Sequence, residues 1–309
     1  MSLAKQVVIL CGAVSLEREV SLRSGRAVAK VLPDAQLVEL DKNEVPSWLN
    51  ASQHVVFPVI HGDYGEDGRV QAELEARGIA YAGCDAQVSR LCIDKVVTKK
   101  RMRQAGIPAI PEIAFAGSQK PTATELIHQL GNQMIIKPAD KGSSVGLYVL
   151  EGQKEVEAAL QKIATTGQWM AERRLTGREM SIGILEGKAL GIVEIVPKTG
   201  VYDYQTKYTK GSTEYLYPAP LDASLTERIS RAAEKLFQTM GCRDFARADL
   251  FLEPTGDFYF LEINTMPGMT ETSLMPKSAS CCGLDFATLV QRMIAPALQR
   301  STTTPTNPS

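Results

Sequence analysis

The sequence has no apolar run long enough to cross a membrane, no Cys-x-x-Cys pair and no extended basic run. Each absence removes a class of function. The first apolar stretch, residues 7–10, is too short for the core of a secretion signal, so a cytoplasmic protein with no membrane partner is expected. Six cysteines (Cys11, Cys84, Cys92, Cys242, Cys281, Cys282) and three histidines (His54, His61, His128) lack zinc-ligand spacing. The thiols are expected to be reduced and mainly to pack. A net charge of −1, with no extended basic run, offers nothing to a nucleic acid. The sequence contains no Gly-x-x-x-x-Gly-Lys-Ser/Thr, which excludes a P-loop, and no Gly-x-Gly-x-x-Gly after the first strand, which weakens a dinucleotide-binding reading. There is no internal repeat. Residues 301–309 contain no apolar side chain and are expected to be disordered.

What remains is an ordinary globular composition, 44% hydrophobic and 22% charged, in 309 residues. That length allows two or three domains. Residues 1–94 alternate strand signals (7–10, 55–60) with helical spacing (17–32, 70–76), which predicts an α/β unit on a parallel sheet. Residues 95–175 read as a small α+β unit and 176–300 as a larger one, opening with apolar strands at 180–185 and 189–196. Ser224-x-x-Glu227 has a capping-box pattern, predicting a helix start before a run that reaches Met240.

Chemistry concentrates first near the C-terminus. Arg247-Ala248-Asp249 and Glu262-Ile263-Asn264 interrupt two strongly apolar strands, separated by a turn at 254–257. Alternation places Arg247 with Asp249 on one face and Glu262 with Asn264 on another, and a hairpin can join the two faces. Two carboxylates and a carboxamide oxygen suit magnesium carrying phosphate oxygens, and the guanidinium can hold another anionic group. Charged strand residues are often only a solvated face; here the apolar surroundings make unpaired charge costly. Pro267-Gly268 follows, a turn able to offer backbone N–H groups to an anion. Lys137 ends another apolar strand, and Gly142-Ser143-Ser144-Val145-Gly146 follows it. Glycines and serines there allow a close approach to phosphate, although such residues also make ordinary turns.

Taken together, these segments resemble the D-alanine–D-alanine ligase family of the ATP-grasp superfamily, over residues 7–293. The resemblance is carried by Ser15 through Gly25, His61-Gly62-x-x-Gly65-Glu66-Asp67-Gly68, Lys137-Pro138, the Gly142–Gly146 loop, Tyr202 through Tyr208, Arg247-x-Asp249 and Glu262-x-Asn264 through Thr270. It implies a three-domain ATP-grasp fold with an N-terminal parallel-sheet domain, and a two-stage reaction. ATP phosphorylates one D-alanine, and the amine of a second attacks the acylphosphate, to supply peptidoglycan precursors.

The same resemblance implies a role for each candidate. Asp249, Glu262 and Asn264 would hold two Mg2+ (or Mn2+) ions. Lys95, Lys137 and Lys207 would contact ATP phosphates. Adenine would lie along Glu172 to Leu175, and Glu179 would hold the ribose. Glu17 would meet the first substrate's ammonium and His61 its carboxylate side. Arg247 and the Gly268 N–H would stabilise the oxyanion. Ser273 and the Leu274 N–H would take the second substrate's carboxylate. Ser143 and Tyr208 would join Glu17 in closing the site. The polar, tyrosine-rich stretch 198–217 reads as a lid that keeps water from the acylphosphate. Tyr208 and Leu274 resemble the D-alanine-using members, and a homodimer through residues 1–94 is implied. The turn Cys11-Gly12-Ala13-Val14-Ser15 departs from the family's commoner Gly-Gly-x-Ser. Another amide-forming ATP-grasp ligase is the nearest rival. A non-catalytic ATP-binding protein should lack Arg247 or a metal ligand, and none is missing.

Overall fold

The computed structural model describes residues 5–139, 146–198 and 212–302. Three sheets organise the chain. In the first, β1 (Gln6–Gly12) lies between β2 (Gln36–Leu40) and β3 (His54–Pro58), and both pairings are parallel. β1 and β3 are almost wholly apolar because helices cover both faces, as parallel sheets require. α1 (Arg18–Val31) supplies one cover, and α3 (Arg69–Ala76) packs the opposite face through Val70 and Leu74. α2 (Asp63–Glu66) is a single turn between β3 and α3. Gly65 is required there: a Cβ would stand 1.8 Å from the Ile60 carbonyl oxygen. β2 is absent from the sequence reading; it is a half-exposed edge strand with no continuous apolar run to betray it.

α4 (Ala86–Ile93) leads to α5 (Lys95–Gln104) through Asp94, which ends one helix and caps the next by accepting from the Val96 and Val97 N–H groups. The second sheet is antiparallel, ordered β4 (Glu112–Ala116), β7 (Gln168–Arg173), β5 (Gln133–Pro138), β6 (Tyr148–Glu151). α6 (Ala123–Leu130) and α7 (Gln153–Lys162) cover it through Leu126, Leu130, Val156 and Leu160.

The third sheet is also antiparallel: β10 (Thr213–Leu216), β9 (Lys188–Pro197), β8 (Arg178–Leu185), β11 (Phe245–Leu252), β12 (Phe258–Asn264). α8 (Ala223–Met240) packs Ile229, Leu236, Phe237 and Met240 on it. Its cap corrects the sequence expectation. Asp222, not Ser224, precedes the first helical residue and accepts from the Leu225 N–H at 2.8 Å, so Ser224 lies inside the first turn. α9 (Leu274–Ser280) and α10 (Phe286–Thr302) follow. α10 joins the core shared by the first and third sheets through Leu289, Val290, Met293 and Ile294. It carries Ser301 and Thr302 as helix, two residues into the tail expected to be disordered. No described helix is long and apolar enough to cross a membrane. Among the described cysteines, none forms a disulfide, and Cys11, Cys84 and Cys92 are buried.

Candidate active site

The β11–β12 hairpin forms as its alternation implies. Register sets Arg247 opposite Asn264 and Asp249 opposite Glu262, with an irregularity just after Asp249. On the other side, β8 places Ser181 opposite Asp249 and Glu179 opposite Phe251, so Glu179 shares the face of Ser181 and Asp249. The buried Asp249 carboxylate is fully engaged. Arg247 donates to it at 2.9 Å from Nε and 2.7 Å from a terminal nitrogen, and the Ser181 hydroxyl donates at 2.6 Å. Asn264 Oδ1 accepts from the Met266 N–H at 2.8 Å, which fixes the carboxamide's orientation.

Cations from α5 and the second sheet face this hairpin. Lys95 starts α5, and its backbone N–H reaches the Ala139 carbonyl at 3.2 Å while its ammonium meets Glu262 at 3.2 Å. Burial works to lower the Lys95 pKa, but Glu262, with Glu172 and Glu66 beyond it, outweighs burial and raises it. One helical turn on, Lys99 is wholly buried and pairs with Glu172, which also takes Lys137 at 2.6 Å. Burial opposes ionisation of Glu172, yet the ammonium groups of Lys137 and Lys99 prevail and draw its carboxyl down to about 2. Leu175 is buried beyond the end of β7. Lys99 escaped the sequence reading, although its i+4 spacing from Lys95 puts both on one face of α5.

A second cluster gathers at the first sheet. Glu17 stands at the N-cap position of α1 without a side-chain capping bond and is buried, and a Cβ on Gly62 would stand 3.7 Å from its carboxylate. The His61 Nε2 is 3.0 Å from the Ser24 hydroxyl, whose oxygen accepts from the Met269 N–H at 3.2 Å. The ring thereby ties α1 to the segment after β12. Burial lowers the His61 pKa to about 4 against the pull of Glu17, so the imidazole is neutral near pH 7. Glu66, quoted in the motif but given no role, faces the same cluster. Burial, followed by repulsion from Glu17, raises its carboxyl to about 8; Glu262 adds to this, while the Gly62 N–H and Arg247 oppose it.

Gly268 and Ser273 come together: a Cβ on Gly268 would meet the Ser273 hydroxyl at 2.8 Å. Ser273 precedes α9, and Leu274 is its first residue, buried. The Thr270 N–H and hydroxyl lie 2.9 and 2.8 Å from Ser273 Oγ. The structure thus gathers Lys95, Glu262, Asp249, Arg247 and Asn264; Lys137 with Glu172; Glu17 with His61; and Gly268 with Ser273. Ser143, Lys207 and Tyr208 lie outside the described residues, as do Tyr202 and the middle of the expected lid.

The donor set fits a divalent cation brought in with phosphate. Two opposed carboxylates and an oriented carboxamide supply hard oxygens, and magnesium usually takes one or two carboxylates plus phosphate oxygens instead of a complete protein cage. Among the described residues, no group of three His, Cys, Asp or Glu side chains could by itself hold an ion.

The family described as "D-ala D-ala ligase C-terminus" matches residues 102–295, and "D-ala D-ala ligase N-terminus" matches residues 39–84. A D-alanine–D-alanine ligase of Aquifex aeolicus is 41% identical over 296 residues, covering 94% of this chain and 99% of that protein. One from Syntrophotalea carbinolica is 38% identical over 301 residues, covering 96% and 97%. The crystal structure of D-alanine–D-alanine ligase from Bacillus anthracis complexed with ATP superposes with a TM-score of 0.82 at 30% identity, covering 97% of this chain and 99% of that one. With family models matching both parts of the chain and near-full-length relatives at 38–41% identity, the chain belongs to the D-alanine–D-alanine ligase family.

Proposed function

We propose that the protein condenses two D-alanine molecules to D-alanyl-D-alanine with ATP, through an acylphosphate, for peptidoglycan precursor synthesis. The observation that supports this reading best is the pairing of Asp249 opposite Glu262, with Lys95 on Glu262 and Arg247 on Asp249. Asp249, Glu262 and Asn264 would hold magnesium, which would supply charge neutralisation for phosphate oxygens.

The protein's own groups do the rest. Lys95 and Lys137 lie where phosphate oxygens can replace Glu262 and Glu172 as their partners. The base lies against residues 172–175, and Glu179 meets the ribose. Glu17 receives the first ammonium, and neutral His61 orients the same molecule without adding charge. Arg247 and the Gly268 N–H face the oxygen that becomes negative as the amine attacks, where preorganised donors act most strongly. Ser273 and the Leu274 N–H, at the start of α9, take the second carboxylate. Ser143, Lys207 and Tyr208 complete the assignment. A homodimer and the division at 1–94, 95–175 and 176–300 belong to the same proposal.

The test is phosphate release from ATP and magnesium with D-alanine, L-alanine, D-serine and D-lactate, offered singly and in pairs. Release with D-alanine alone, together with the dipeptide, is expected. Silence with D-alanine and turnover with another amine or hydroxy acid would overturn the substrate assignment.

A further inference from the structure

Lys277 lies one turn into α9 from Ser273, and none of the chemistry above uses it. Its ammonium sits 4.7 Å from the centre of the Tyr215 ring and 5.9 Å from that of Tyr217. It also donates to the backbone carbonyl of Glu271 at 3.1 Å. Among the described residues no carboxylate pairs with it, and burial draws its pKa down to about 8. Among the described residues, the titratable groups that meet it are the two phenols from β10 and its C-terminal extension, beside Glu271, whose side chain is exposed. Aromatic faces and a carbonyl dipole therefore replace a counter-ion.

The carbonyl it holds belongs to the turn that sets Ser273. From one side, Thr270 reaches Ser273 Oγ twice, and the Ser273 N–H returns to the Thr270 carbonyl at 3.0 Å. Lys277 grips the same turn from the other side and ties it to β10. We infer that Lys277 is a positioning residue for the second amino acid, holding the turn at 271–273 so that the Ser273 hydroxyl and Leu274 N–H meet its carboxylate. The inference rests on the reading of Ser273 as that carboxylate's anchor. Lys277 does not touch the substrate; it acts through the turn.

The experiment resolves the KM of the first and second D-alanine at saturating ATP, for the wild type, Lys277→Met, Lys277→Arg and Ser273→Ala, between pH 7 and 9.5. Lys277→Met should raise the second KM roughly tenfold at pH 7, the loss expected when a charge-assisted hydrogen bond and a cation–π contact go together. The first KM and the KM for ATP should not move, which also reports an intact fold. Lys277→Arg should restore most of the loss and keep its value across the range, because a guanidinium stays charged. The ratio of Lys277→Met to wild type should fall toward one above pH 8, as the native ammonium loses its proton. Ionisation of the substrate amine is common to both enzymes and divides out. If Ser273→Ala raises the second KM but Lys277→Met does not, or if the ratio is flat with pH, the inference is overturned and the anchor stands. If Ser273→Ala leaves the second KM unchanged, the anchor itself is wrong and the inference falls with it.

Discussion

Replacing Glu172 by glutamine removes the centre of a buried charge triad. The carboxylate takes Lys137 at 2.6 Å and the wholly buried Lys99, and its pKa falls from 4.5 to about 2. A depression of that size is worth about 3 kcal/mol of stability at neutral pH. Because the folded value lies below the unfolded one, the contribution is complete above pH 4.5 and is lost as pH falls through about 2. Lys99 works in the opposite direction: burial, despite Glu172, lowers its pKa, and Lys137 repels it. Keeping Lys99 charged therefore consumes part of the gain, and the net loss in Glu172→Gln should be about 2 kcal/mol at pH 7. Urea unfolding can be followed by the fluorescence of Trp169, three residues away on the same strand. At pH 3.5 the wild type's advantage should shrink by roughly 1 kcal/mol. The double variant Lys99→Met/Glu172→Gln should be more stable than Glu172→Gln alone, since it leaves one fewer orphaned ammonium. The KM for ATP should rise while those for D-alanine hold, because Lys137 loses its support. Unfolding of Glu172→Gln at the wild-type urea concentration at pH 7, or a difference indifferent to acid, would refute the reasoning.

Glu66→Gln should do the opposite. The folded pKa of Glu66 is raised to about 8, so its contribution is present below pH 4.5 and disappears as pH rises through about 8. The neutral variant should therefore be more stable than the wild type at pH 9, by at least about 1 kcal/mol, with the gap closing toward pH 4, as measured by urea titration at both values. Arg247→Ala should leave nucleotide affinity largely intact, measured by titration with a non-hydrolysable ATP analogue, while kcat falls on the order of a hundredfold or more. Equal loss of nucleotide affinity would contradict the oxyanion assignment.

The elements legible in the sequence are those whose side-chain period is set by burial. β11 and β12 could be read because apolar residues flank each polar pair, and alternation puts each pair on one face; the register that sets Asp249 opposite Glu262, with its shift after Asp249, comes only from the fold. The parallel first sheet was legible from β1 and β3 for the same reason, whereas the half-exposed β2 carried no such signal. The α8 cap misled because two capping residues, Asp222 and Ser224, lie close together and only geometry selects between them. The Lys99–Glu172 pair was out of reach in a different way: 73 residues separate the partners, and a mid-helix lysine looks like surface until a strand from another sheet covers it. Glu66 lay in plain view inside a motif, but its raised pKa comes from burial first and then from Glu17 and Glu262, all of which only the tertiary fold supplies.

Within the protein itself Lys95 holds Glu262, Lys137 holds Glu172, and Arg247 holds Asp249. Lys95–Glu262 joins a group assigned to phosphate with one assigned to metal, so each is the other's counter-ion. On that assignment a phosphate taken by Lys95 draws it away from Glu262, and a metal taken by Glu262 draws it away from Lys95. A metal–nucleotide complex brings both signs and replaces both partners in one event, so the resting pair favours the complex over either component alone.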